Sequence, residues 1–314
     1  MVMSKRLKLL KENMIAKGFD AFLVPRGDMF SGEEVPKSEE RLKYISKFSG
    51  SAGYAIISSN PRVKSAIFSD GRYQLQMKKE IDINHFDIFE GGIKEISIFL
   101  KQNEKNLNNI AIDPWLLTLK QHQILKNNLE KTKVNFNFIE SNLIDEVWVD
   151  KNCEIEKDIF KLSIKNTGVN SSQKINQLIK KIEVEGGDYY ILFRPTGLAW
   201  LLNIRGRDLK HTPISRSFCI VSKYGEVFIF SDNKSFKRVL NKESKIYFYK
   251  FEDLSSFLKS IKKKIFLIDE EVLPIKIYSN LKSNDLNFKK IECPIEQFKS
   301  IKNLKELNGI RIAH

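Results

Sequence analysis

DAFLVP, residues 20–25, is a short apolar run that follows an aspartate and ends at a proline. Before it, residues 4–18 carry apolar side chains at helical spacing and end in a lysine and a glycine. This order predicts a helix, a turn and a buried strand. DYYILFRP, residues 188–195, has the same order, and a helical pattern over residues 172–182 and two glycines precede it.

The same order of strand-like runs continues beyond these strands in both copies. Strand-like runs lie at residues 54–58, 66–70, 109–113 and 134–139 in the first copy, and at 218–222, 227–232, 246–249 and 265–269 in the second. Asp188 follows Asp20 by 168 positions, and Phe230 follows Phe68 by 162, so only small insertions separate the copies. The repeated order indicates a duplicated domain.

We therefore expect an α/β protein of two tandem duplicated domains, each a mixed sheet flanked by helices. The predicted limits are residues 1–160 and 161–299, with the join between 150 and 171, where the apolar periodicity weakens. A helix is predicted over 251–263. Residues 300–314 predict a final helix without a C-terminal capping signal, and we interpret the chain as a fragment that normally continues.

Composition narrows the function classes. The chain has 314 residues and a net charge of +14, but its 53 lysines and arginines are spread along its length, so we expect neither a nucleic-acid nor a membrane partner. No apolar run is long enough to span a bilayer. The three cysteines, Cys153, Cys219 and Cys293, form no C-x-x-C pair, which favours a reducing, cytoplasmic setting.

Candidate catalytic groups are few. The histidines (His85, His122, His211 and His314) are scattered without a zinc motif, so we expect no metal site in this chain. Asp87 and Glu90 alternate with apolar residues after His85, which predicts the solvent side of a strand. Cys219 is expected to be a small buried apolar residue, and residues 50–53 to be a packing turn.

Two polar segments remain. Arg72, in Asp70-Gly71-Arg72-Tyr73, follows a predicted strand, and its guanidinium is suited to hold a carboxylate or carbonyl of a ligand. On spacing alone, a pairing with Asp70 or a helix-capping role is favoured instead. The second segment, residues 203–211, is predicted to be a charged loop that is either functional or solvated.

Taken in order, further motifs give the chain a family resemblance. They are DAFLVP (20–25), GEEVP (32–36), ERL (40–42), FSGSAG (48–53), DGRY with LQ (70–76), IDP (112–114), NLID with Trp148 and Asp150 (142–150), AWLLNIRG with Asp208 and Pro213 (199–213), and KN, Glu306, Gly309, Arg311 and AH (302–314). The chain resembles the first two domains of the three-domain cytosolic Xaa-Pro aminopeptidases (aminopeptidase P) of the creatinase/prolidase metallopeptidase superfamily. It departs from them at Thr196-Gly197, which replaces an acidic pair, and at Lys47, which replaces a glycine.

The resemblance implies two creatinase N-terminal, ribonuclease H-like domains, with residues 300–314 beginning a catalytic pita-bread domain. In that family the third domain holds two divalent metals, usually manganese, that activate water, and the enzyme removes the N-terminal residue before a proline. The resemblance therefore implies that this chain alone is inactive and holds no metal. It implies that Arg72 contacts peptide substrate and that the full-length enzyme is a cytoplasmic homodimer. For Arg205 and Asp208 the resemblance marks only a family signature, and we expect loop-ordering ion pairs or domain contacts rather than a direct ligand role.

An alternative stays open. The chain is then a stand-alone binding module that has lost the catalytic domain and uses its basic surface or the Arg72 region to hold a partner. A gene that continues past His314 into metal-ligand motifs would reject this alternative, and a stop codon there would favour it.

Overall fold

The computed structural model describes residues 2–152 and 157–314, so Cys153 lies outside the described residues. The chain divides into two compact units, residues 1–154 and 155–314, each built around its own six-stranded sheet. Among the described residues, no helix combines the length and apolar character needed to cross a bilayer.

The first unit alternates strands and helices. Its strands are β1 (Ala21–Pro25), β2 (Tyr54–Ser58), β3 (Ser65–Ser69), β4 (Phe86–Glu90), β5 (Asn109–Ile112) and β6 (Asn135–Phe138). Its helices are α1 (Val2–Ala16), α2 (Arg41–Ser46), α3 (Gln74–Glu80), α4 (Ile93–Gln102), α5 (Leu119–Asn128) and α6 (Leu143–Val147). Single 3-10 turns lie at Lys37–Glu39 and Gly71–Tyr73.

The second unit also alternates strands and helices. Its strands are β7 (Ile159–Lys161), β8 (Tyr189–Leu192), β9 (Ile204–Gly206), β10 (Phe218–Ser222), β11 (Val227–Phe230), β12 (Ile246–Tyr249), β13 (Ile265–Ile268) and β14 (Asn287–Lys290). Its helices are α7 (Ile164–Thr167), α8 (Ser171–Val184), α9 (Pro195–Leu201), α10 (Ser235–Leu240), α11 (Leu254–Ser260), α12 (Ile275–Ser283), α13 (Pro294–Ser300) and α14 (Leu304–Ala313). A 3-10 turn lies at Phe251–Asp253.

The two sheets have one topology. The order is β4-β3-β2-β1-β5-β6 in the first unit and β12-β11-β10-β8-β13-β14 in the second. In each sheet the central strand, β1 or β8, pairs antiparallel with one neighbour and parallel with the other, and the outer pairings also match in direction. The expected α/β fold of two duplicated, helix-flanked mixed sheets is therefore confirmed. The finer limits at residues 160 and 299 stay predictions.

Apolar packing holds the central strands. Every residue of β1 is buried, as a strand covered by helices on both faces requires. Leu10 and Met14 of α1 belong to the same core cluster as Phe22 and Val24 of β1. In the second unit, Leu178 of α8 shares a core cluster with residues of β8, β10 and β11.

The aspartate before each central strand fixes the register of the sheet. Asp20 Oδ2 accepts hydrogen bonds from the backbone amides of Asn108 and Asn109, at 3.0 and 2.8 Å. Its carbonyl accepts from Ser59 N, so it joins the central strand to both neighbours. Asp188 repeats this arrangement, because its carboxylate accepts from Ile265 N at 3.0 Å and its carbonyl accepts from Lys223 N.

Three local predictions need correction. The helix predicted over 251–263 begins as a 3-10 turn and ends at Ser260. The final helix begins at Leu304 rather than at Ser300, because the Asn303 side chain caps it by accepting from the amides of Lys305 and Glu306. The loop predicted over 203–211 contains strand β9, which pairs with β7 in a two-stranded sheet.

Substitution of Asp20 tests its clamping role. Asp20→Ala leaves two backbone amides without their carboxylate acceptor, so we expect the free energy of unfolding of the first unit to fall by about 2 kcal/mol. This free energy is measured by urea unfolding in a Trp200→Phe background, in which Trp115 and Trp148 report by their fluorescence. Glu12→Ala is the control, since Glu12 is exposed and pairs only with Lys8 along α1. Equal losses in the two variants would contradict the clamp.

Candidate functional site

Arg72 lies just past the end of strand β3, where Asp70 caps the 3-10 turn Gly71–Tyr73. The Asp70 carboxylate accepts from the backbone amide of Arg72 at 3.1 Å. It also receives two bonds from the guanidinium, from Nε at 2.8 Å and from Nη2 at 2.9 Å. A Cβ at Gly71 would lie 3.1 Å from Oε1 of the exposed Glu90 side chain, so a larger residue would require that side chain to shift.

This pairing leaves part of the Arg72 guanidinium available. The side chain is 69% exposed, and among the described residues its Nη1 has no recorded protein acceptor. The Arg72 hydrogen bond lowers the pKa of Asp70 to about 2, and Asp70 in turn raises the pKa of Arg72. The pair is therefore fully ionised and neutral overall, and it presents N–H donors rather than net charge.

A small aromatic cluster supports the turn. The Tyr73 hydroxyl lies 2.6 Å from Ser51 Oγ, and this hydrogen bond lowers the pKa of Tyr73. The Tyr73 ring packs edge-on against Phe48, with centroids 5.7 Å apart. A Cβ on Gly53 would come within 3.0 Å of a backbone oxygen in β3, as a close-packed turn at residues 50–53 requires. The arrangement holds Arg72 at the edge of the sheet.

The pairing of Arg72 with Asp70, favoured by spacing alone, is thus present in the structure. The pairing does not exclude a ligand, because the exposed side of the guanidinium remains open. A substrate contact of Arg72 stays a prediction.

Several motifs that carry the family resemblance meet in one buried polar network in the first unit. Arg41 donates to both carboxylate oxygens of Asp145, at 2.9 and 2.8 Å. Asn142 donates to Asp113 at 2.8 Å, and its own oxygen accepts from Ile144 N. Burial raises the pKa of Asp113, whereas at Asp145 the effect of Arg41 and Lys151 outweighs burial and lowers the pKa. These motifs stabilise the fold.

Trp148 and Asp150 extend this structural role. The Trp148 ring stacks on the Tyr44 ring, with centroids 4.2 Å apart. The Arg6 guanidinium also lies over the Tyr44 ring, 4.0 Å from its centroid. Asp150 lies 3.9 Å from Arg6. Lys47 follows the end of α2 with a φ of 71°, so a glycine is the unstrained residue at this position.

The second unit contains a buried lysine that the sequence patterns did not single out. Lys174 of α8 is 2% exposed, and its Nζ donates to Trp200 O at 2.9 Å and to Asn203 Oδ1 at 2.7 Å. The ammonium lies 4.1 Å from the Trp200 ring centroid, and Trp200 Nε1 donates to Glu306 of α14. The available signal was its spacing, since Lys174 is in helical register with the buried Leu178 and Ile182.

Arg205 and Asp208 have local roles in this unit. Arg205 Nη1 donates to the backbone oxygens of Ile204 and Ala199, at 2.7 and 3.3 Å. Asp208 Oδ2 accepts from Ser215 Oγ at 3.0 Å and from Arg216 N at 2.7 Å. Both residues contact the segment around β9.

The remaining candidates fit structural roles. Asp87 pairs with Lys64 at 2.7 Å on the solvent side of β4, and His85 Nε2 lies 3.1 Å from Ser4 Oγ. Burial lowers the pKa of His122 and raises that of the fully buried Cys219. Within residues 2–152 and 157–314, no group of three or more His, Cys, Asp or Glu side chains is arranged to hold a metal ion. The residues present therefore do not fit the dimetal centre that the resemblance implies for a third domain.

The Asp70–Arg72 pair can be measured by titrating the Asp70 carboxyl carbon in the NMR spectrum. We expect a midpoint near pH 2 in the unchanged chain and a rise toward the ordinary value of 3.8 in Arg72→Gln, because the largest stabilising hydrogen bond is lost. Lys64→Gln is the matched control, since Lys64 pairs with Asp87 instead. An unchanged midpoint in Arg72→Gln would show that the pair does not form.

Lys174 gives stability a distinct pH dependence. Burial lowers its pKa from 10.5 to about 8 in the folded chain. Between these values the unfolded chain holds a proton that the folded chain has released, so stability rises with pH in this window. Relative to Lys174→Met, the free energy of unfolding of the unchanged chain should rise by up to about 3 kcal/mol between about pH 8 and pH 10.5.

Urea unfolding at both ends of this pH window measures the difference. Lys180→Met is the control, because Lys180 is an exposed lysine of the same helix. If Lys174→Met and Lys180→Met showed the same pH dependence, Lys174 would not titrate with a lowered pKa.

Comparison with known proteins agrees with this architecture. The family model of the creatinase/prolidase N-terminal domain matches residues 6–144, and a second model of the same description matches residues 150–306. A solved X-prolyl aminopeptidase from Caenorhabditis elegans, described as a cytosolic enzyme with a di-nuclear active site, superposes with a TM-score of 0.88 at 24% identity. The match covers 100% of this chain and 54% of that one.

Sequence relatives point the same way. A probable Xaa-Pro aminopeptidase P of Laccaria bicolor is 29% identical over 99% of this chain and 49% of its own length. One of Coprinopsis cinerea is 28% identical over 99% of this chain and 52% of its own length. The chain thus spans about half the length of the curated relatives it matches. With two matched domains covering nearly all its residues, the chain belongs to the creatinase/prolidase N-terminal domain family.

Proposed function

We propose that this chain is the N-terminal part of an Xaa-Pro aminopeptidase, a metal-dependent peptidase that releases the residue before a proline. The observation that supports the proposal most strongly is that both duplicated domains match along the chain, in the same order as in relatives that bear this name. The described residues hold no metal cluster. The proposal therefore assigns the hydrolytic chemistry to residues beyond this chain and gives the chain itself a non-catalytic role.

In this role, Arg72 contacts the peptide and the two domains limit access to the catalytic centre. Asp70 holds Nε and Nη2 of Arg72, and the exposed Nη1 is left to donate to an incoming acceptor. Because the ion pair is neutral overall, a backbone carbonyl of the peptide suits this donor better than a free carboxylate. The rigid turn that Ser51 and Tyr73 support keeps the donor in place before substrate arrives.

The remaining features of the proposal concern the whole enzyme. We place it in the cytoplasm as a homodimer that uses two divalent metal ions, manganese by family analogy. The substrates are peptides with proline at the second position. No step of the reaction is assigned to a residue of this chain.

Peptidase assays test whether this chain by itself lacks hydrolytic activity. With added Mn²⁺, the 314-residue chain should release no N-terminal residue from a short Xaa-Pro peptide, whereas the full-length product of the gene should release it. Activity of the short chain would overturn the non-catalytic role. Inactivity of both would favour the alternative, a binding module.

The role of Arg72 is tested in the full-length enzyme. Arg72→Ala and Arg72→Lys should each lower kcat/KM by about tenfold, because a charge-assisted hydrogen bond to substrate contributes on the order of 1.5 kcal/mol. The melting temperature should stay the same, since Arg72 is exposed. Lys64→Ala is the control for loss of an exposed cation on the same sheet. Unchanged kcat/KM in both Arg72 variants would remove the substrate contact from the proposal.

A further inference from the structure

The positive charge of the protein is concentrated in the second unit. Residues 1–154 contain 23 lysines and arginines against 21 aspartates and glutamates, whereas residues 155–314 contain 30 against 18. The proposed peptidase role does not use this excess. A basic domain with a suitable cavity is equipped to hold an anionic ligand.

Such a cavity lies at the carboxyl end of strands β11 and β12. Its volume is about 450 Å³, within the range of small-molecule sites. The duplication relates this place to the Arg72 site. In both units a Phe-Ser-Asp sequence ends the strand, and β11 pairs parallel with β12 as β3 pairs with β4. Lys234 follows Asp232 by two positions, as Arg72 follows Asp70, so each repeat places a cation here.

The two cations differ in how they are held. Asp70 grips the Arg72 guanidinium, but among the described residues of the second unit neither Lys234 nor Lys237 has a carboxylate within 4 Å. Both lysines are exposed at the cavity rim. Asn233 fixes the segment between strand and helix, because its side chain accepts from Ser235 N at 2.8 Å and donates to Lys157 O at 2.7 Å.

The other lining residues give the cavity an apolar side and a limited negative charge. Ile229, Phe236 and Phe248 lie on the apolar side. Asp232 and Asp253 also line the cavity, but the Asp253 carboxylate accepts from Lys250 N at 2.9 Å, and Lys250 Nζ pairs with Glu252 at 3.0 Å. The lining therefore holds three ammonium groups, of Lys234, Lys237 and Lys250, against the two carboxylates of Asp232 and Asp253.

We propose that this cavity binds a small aromatic anion. Its ring packs against Ile229, Phe236 and Phe248, and its phosphate or carboxylate group lies at the ammonium groups of Lys234 and Lys237. This site lies in the second unit, whereas Arg72 belongs to the first. Its ligand is defined by the combination of an apolar ring and an acidic group.

Binding can be tested on the 314-residue chain with phenyl phosphate and benzoate as probes. The readout is the methyl NMR signal of Ile229, which lines the cavity, titrated at constant ionic strength. We expect saturable shifts with both probes, and weaker shifts with phenol or inorganic phosphate, each of which lacks one half of the ligand. Tighter binding of phenyl phosphate than of benzoate would identify a phosphate ligand, and the reverse would identify a carboxylate.

Lysine variants distinguish binding at this site from general electrostatic attraction of an anion to the basic surface. Lys234→Gln and Lys237→Gln should each weaken phenyl phosphate binding about threefold, and together about tenfold, because each removes one partly exposed ion pair with the acidic group. Lys242→Gln, an exposed lysine just after α10, is the charge-matched control and should leave binding unchanged. The proposal is overturned if no probe shifts Ile229, if inorganic phosphate binds as well as phenyl phosphate, or if the control weakens binding equally.

Discussion

The structure depends on how each sheet holds its central strand. β1 and β8 are buried, and each pairs in opposite directions with its two neighbours. A one-residue slip would turn the whole apolar set of such a strand to the wrong face. The aspartate before each strand prevents the slip because its carboxylate and its backbone groups bond to both neighbouring segments. The helices, turns and loops are then placed by the edges of a sheet whose register is fixed.

Beyond this shared frame, the two units use different buried polar groups. The first unit buries Arg41 against Asp145 and Asp113 against Asn142. The second buries Lys174 under Trp200 and bonds it to neutral oxygens. A buried charge is costly unless it is paired or hydrogen-bonded, so loss of one partner from either network is expected to destabilise the fold. This cost explains why several motifs of the family resemblance serve the fold rather than chemistry.

The two repeats hold their cations differently at the ends of β3 and β4 in the first unit and of β11 and β12 in the second. In the first unit the cation at this position is a guanidinium locked by Asp70, which gives a directed hydrogen-bond donor of no net charge. In the second unit the cation is Lys234, which has no carboxylate within 4 Å among the described residues and lies beside a cavity with an apolar side. One duplicated scaffold thus presents a guanidinium held by a carboxylate in one copy and an exposed ammonium group in the other, and an arginine and a lysine suit these different tasks.

The sequence by itself determined the α/β class, the duplication and most of the strands, though not β7, β9 or β14, because short apolar runs between turn residues depend only on local order. It also predicted the pairing of Asp70 with Arg72, since residues two positions apart across a cap are close in any fold. Tertiary structure decided which distant residues meet: Arg41 with Asp145, Lys174 with Trp200 and Asn203, and strand β9 with β7. It also decided that Lys234 borders a cavity. These contacts join segments that periodicity treats as independent, because a pattern along the chain records which face of an element is apolar but not which element will cover that face.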